Sequence, residues 1–74
     1  MINWIDVTDS ERVIAVAYDA EQETIYVRFK KDGVEWWYGS SPPHIWEQFI
    51  MPGASKGRFI REVLDNHPKG RSVA

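Results

Sequence analysis

The chain has no cysteine, so neither a disulfide framework nor a thiolate metal site can hold it together. Histidine is scarce as well: His44 and His67 are too few to close a metal site alone. No apolar run approaches the roughly 20 residues of a membrane span, and the opening MINWIDVTDSERV has neither the basic flank nor the apolar stretch of a signal peptide. A cytoplasmic protein is the expectation. There is no excess of positive charge either. Eleven acids against nine bases leave a net charge of −2, whereas a generic nucleic-acid binder is basic because its affinity comes from neutralising phosphates.

What is present is aromatic bulk. The 74 residues form one domain, 1–74, with four Trp, three Tyr and three Phe to build its core. Each such ring buries about 150–250 Å², which matters in a chain too short to bury much else. Charge is divided along the chain. Residues 1–37 hold eight acids and four bases, and residues 38–74 hold three acids and five bases.

Periodicity predicts an α+β fold. Val13–Asp19 places Ile14, Val16 and Tyr18 on one side and Val13, Ala15 and Ala17 on the other, the pattern of a central strand. Thr24–Lys30 alternates, with Ile25, Val27 and Phe29 facing one way and Tyr26, Arg28 and Lys30 the other. Asp32-Gly33 signals a hairpin, and Val34–Tyr38 returns with Glu35 and Trp37 opposite Val34, Trp36 and Tyr38. These three strands read as an antiparallel meander; Ile2–Val7 is a candidate edge strand. The period then changes. Ser41 reads as the cap of a helix opening on Pro42-Pro43, with Ile45, Trp46, Phe49 and Ile50 as its apolar stripe. Ser55 reads as the cap of a second, with Phe59, Ile60, Val63 and Leu64 inward and Phe59 and Leu64 as its core residues. Both helices are expected to pack on one face of the sheet, and residues 69–74 (KGRSVA) read as a disordered tail.

Catalytic machinery is not legible. Ser40, Ser41 and His44 lie close in sequence, but Ser41-Pro42 is accounted for as a helix start. Lys56-Gly57 offers one glycine rather than a phosphate-binding run. The chain is read as non-enzymatic, with no catalytic residue, metal, cofactor or small-molecule substrate. Two surfaces are candidates for binding a partner. The first combines the outward hairpin face with the N-terminal region: Trp4, Asp6, Asp9, Glu11, Tyr26, Arg28 and Trp37. Aromatics beside cations stack bases or anchor protein interfaces, unless Trp37 is covered by Ile2 or Trp4. The second is an anion- or RNA-binding group of Lys56, Arg58 and Arg61, whose bland alternative is a solvated helix face.

From about Val7 to Pro68 the chain resembles the KTSC domain, found at the C-terminus of some lysyl-tRNA synthetases and as a free-standing protein. The resemblance is carried by Ser10, Ala17-Tyr18-Asp19, Ile25–Phe29, Trp36-Trp37-Tyr38, Pro43, Ile45-Trp46 and above all Ala54-Ser55-Lys56-Gly57-Arg58-Phe59. It implies association with nucleic-acid machinery: RNA binding for the synthetase-appended form, regulation of bacterial RNA polymerase for phage relatives. It implies no catalytic residues. The acidic N-terminal half disfavours RNA, so the expected function is a small non-enzymatic regulator that binds a protein of that machinery, with bacterial RNA polymerase as the partner the resemblance suggests. An RNA-binding accessory module is the alternative.

Overall fold

A computed structural model of the protein describes residues 2–72. Five strands, β1 (Ile5–Asp6), β2 (Val13–Asp19), β3 (Thr24–Phe29), β4 (Glu35–Tyr38) and β5 (Lys69–Ser72), form one antiparallel sheet in the order β1-β2-β3-β4-β5. Helices α1 (Pro43–Phe49) and α2 (Lys56–Glu62) and a 3-10 turn over Leu64–Asn66 intervene between β4 and β5. The α+β meander and the N-terminal edge strand are as the periodicity predicts.

The helices cover part of one sheet face. Val16, Ile25, Val27 and Tyr38 from the strands meet Phe49, Ile60 and Leu64 in the core. Trp46 stacks on Tyr18 (centroids 5.3 Å apart, planes at 9°), and the Tyr18 hydroxyl donates to the Ser41 carbonyl at 2.7 Å. That pair fixes where α1 starts. Asp19 ends β2 by accepting the Glu21 and Gln22 amides on Oδ1, so the Ala17-Tyr18-Asp19 motif is accounted for by packing and turn chemistry. In the next hairpin Asp32 and Gly33 both have positive φ (60° and 61°), the conformation their pairing signals.

Several expectations need correction. Strict alternation puts Ile14 on the side of Val16 and Val13 on the side of Ala15, but the register slips between Val13 and Ala15. This bulge makes Ile14 the unpaired residue, exposes it, and turns Val13 into the core beside Phe29. Ser41 is not a cap: Pro42 occupies that position, and the buried Ser41 hydroxyl instead lies 3.2 Å from the Tyr38 carbonyl and 3.1 Å from that of Gly39. Ser55 does cap α2, accepting the Arg58 amide. In α2 it is Ile60, with Leu64 beyond it, that is buried; Phe59 is half-buried against Phe49. Residues 69–72 are not a disordered tail but β5, paired along β4; Val73 and Ala74 lie outside the described residues.

Candidate functional site

The sheet's outer face, opposite the helices, is built by register. Trp37 pairs with Tyr26 and with Gly70, Tyr26 pairs with Ala17, and one step along, Asp6, Ala15, Arg28, Glu35 and Ser72 form the adjacent row. Trp4 leans over this face: its ring lies 6.5 Å from that of Tyr26, and the Arg28 guanidinium sits 4.5 Å above it. Arg28 also donates from Nε (3.0 Å) and Nη2 (2.6 Å) to Glu35 Oε1. The cation is therefore held by both an indole and a carboxylate, where it stiffens the aromatic surface. Trp37 stays 36% exposed. Its neighbour is Gly70 of β5 rather than the N-terminal segment: a Cβ at Gly70 would fall 2.7 Å from the ring. Trp4, Asp6, Tyr26, Arg28 and Trp37 thus come together as expected. Lys30 does not join them, because the strand ends at Phe29 and Lys30 turns to the other side.

Asp9 and Glu11 also leave that face. They sit in the loop before β2 and line a depression shared with Lys56, Arg58 and Arg61. The acidic and basic groups that the sequence assigns to separate surfaces are neighbours in space, with no ion pair between them among the described residues. Arg58 is further engaged by Glu62 (2.9 Å), and Lys56 lies 5.8 Å from the Phe49 ring centre. This helix face is closer to a solvated, internally paired surface than to a phosphate-binding patch.

A groove that the sequence does not reveal opens on the helix side of the sheet. Two seven-residue helices are each about 10 Å long, too short to roof a sheet about 19 Å wide. The uncovered part, with a volume of about 1000 Å³, is floored by Phe29, Val34, Trp36 and Ile60. Tyr38 reaches it from below; burial, and then the charge of Asp65, push its phenol up to about 12 despite the opposing Arg12. No alternation in the sequence marks this groove, since Arg61, Asp65, Lys69 and Arg71 on its rim come from the helical segment and β5.

Ser41 does meet a histidine, but it is His67, not His44: Nδ1 lies 3.3 Å from Ser41 Oγ and 2.9 Å from the Gly39 carbonyl oxygen. A carbonyl only accepts, so that nitrogen carries the proton and cannot take one from Ser41. The pair ties the start of the helical segment to its end. Among the described residues no group of three or more His, Cys, Asp or Glu could hold a metal ion, and no helix is long and apolar enough to cross a membrane.

No curated protein matches the chain. Its fold is shared by a KTSC domain protein from Yersinia pestis, known from a crystal structure, with a TM-score of 0.86 over 99% of this chain and 100% of that one at 22% identity. At the sequence level, residues 9–67 match the KTSC domain model. That span runs from the loop before β2 through both helices to His67, and the chain therefore belongs to the KTSC domain family.

Proposed function

We propose that this chain is a non-catalytic binding module that docks on a protein of the nucleic-acid machinery through its outer sheet face. One observation carries the reading: Trp4, Tyr26 and Trp37 share a face that no helix covers, with Trp37 still 36% exposed. Large aromatics held rigid beside an arginine are the residues that anchor protein interfaces. Asp6 on the same face adds a charge that complements a basic partner and steers its approach. Bacterial RNA polymerase is the first partner to test, an identity that rests on the family resemblance alone. An RNA-binding module is disfavoured by the pairing of Arg58 with Glu62 and by the acids beside Lys56 and Arg61.

The test is surface-plasmon binding of purified polymerase and its separate subunits. Trp37→Ala is expected to lose more than about 2 kcal/mol through faster dissociation while its amide spectrum stays folded. Asp6→Lys is expected to slow association, and the difference from wild type should shrink as salt rises. If both variants bind as wild type does, the outer face is not the site. Submicromolar binding of single-stranded RNA that survives moderate salt would replace this reading with the RNA-binding one.

A further inference from the structure

We propose that the groove on the helix side, continued by the free edge of β5, receives an extended acidic segment of another protein as a sixth strand. This surface lies on the opposite side of the sheet from the docking face above, so the two stand or fall separately.

The groove is predominantly basic. Six cations line the groove: Arg12, Lys30, Lys31, Arg61, Lys69 and Arg71. Three acids oppose them, and one of these, Asp65, is engaged by Lys69 at 3.2 Å. Among the described residues the other five cations have no carboxylate within ion-pair distance. Cations left free around an apolar floor favour an anionic occupant with some apolar surface of its own.

Beside the groove, β5 is an edge strand. Among the described residues β5 pairs with β4 on one side only, so its other side presents backbone N–H and C=O groups to an incoming strand. Register decides the pattern such a strand must carry. Lys69 stands opposite Tyr38 and Arg71 opposite Trp36, so both basic side chains point to the groove while Gly70 points away. A segment with acids at every second position would set them beside Lys69 and Arg71.

The same groove suits single-stranded nucleic acid less well. Stacking bases need open aromatic faces. Tyr38 is only 3% exposed, and the Arg12 guanidinium lies over the Phe29 ring at 5.9 Å. Trp36 alone remains, and a nucleotide chain lacks the regular alternation of N–H and C=O groups that extends a strand edge.

The test uses two peptides of identical composition, each about nine residues long, one alternating Glu with Val and one with the same residues in two blocks, together with an oligouridylate of matching charge. Each is titrated into the whole protein at low salt and followed by amide and indole NMR. The alternating peptide is expected to bind about tenfold more tightly than the block peptide, shifting the amides of 69–72 and the Trp36 indole. Arg71→Glu should reduce that affinity about tenfold; Lys31→Glu, in the exposed turn, gives the same readout should Arg71→Glu disturb the fold. Equal binding of the two peptides would reduce the effect to diffuse electrostatics and overturn the strand proposal. Tighter binding of the oligouridylate would overturn it in favour of nucleic acid, and no peptide binding at millimolar concentration would remove the site.

Discussion

Gly70 matters because of what it lacks. The Trp37 indole lies so close over β5 that a Cβ at position 70 would fall 2.7 Å from three of its atoms, Cε2, Cζ2 and Nε1. Gly70→Val should therefore cost about 1–3 kcal/mol as an overpacked site and push the indole away from the strand. Urea denaturation reads the first effect, and the Trp37 Nε1–H resonance reads the second. A stable variant with an unmoved indole would show that the ring has room to spare. Trp37 itself was legible, because alternation along 34–38 puts it opposite Trp36. Its neighbour was not: a glycine in KGRSVA carries no sign of the ring above it. The same holds for Ser41, whose serine-proline signature imitates a helix cap while its hydroxyl turns inward to the Tyr38 and Gly39 carbonyls.

At the scale of elements, β3 and β4 follow from two-residue alternation, and the helices from stripes at three- and four-residue spacing. β2 was right in extent but wrong in facing at its first two residues, because a bulge adds a residue that alternation cannot count. β5 had no pattern to read. One of its faces is the charged rim of a groove and the other is a glycine under an indole, so no apolar residue alternates there. Its place in the sheet nevertheless predicts a large structural share. Truncation after Pro68 removes four cross-strand pairs, about four hydrogen bonds at about 1 kcal/mol each, and uncovers the flank of Trp37. The shortened chain should lose about 3–5 kcal/mol in urea denaturation, enough to leave a domain of this size near its unfolding midpoint. Unchanged stability would mean that the strand is an ornament of the sheet rather than part of its support.

Across the whole molecule, folding rearranges the charge that the sequence divides into halves. Asp9 and Glu11 come to rest beside Lys56 and Arg61, while Lys30 and Lys31 join Lys69 and Arg71 around the groove. Tyr38, under that groove, links this arrangement to stability. Below pH 10 the folded and unfolded chains both keep its phenol proton, and it adds no pH dependence. Between 10 and about 12 the unfolded chain loses the proton first, so the stability the neutral phenol contributes is lost as pH rises through the folded value. Relative to Tyr38→Phe, the wild type should lose roughly 1–2 kcal/mol over that window, read by urea midpoints at each pH. Parallel curves for the two proteins would show a phenol that ionises as freely folded as unfolded. The sequence by itself determined the α+β class, the meander, both helices and the aromatic outer face, because these depend on spacings of two to four residues along the chain. Only the tertiary structure decided that 69–72 is a strand, that Ser41 meets His67, and that the charges of the two halves mix. Each of these depends on the chain returning to itself after a helical detour, and no local period records which residues it will meet.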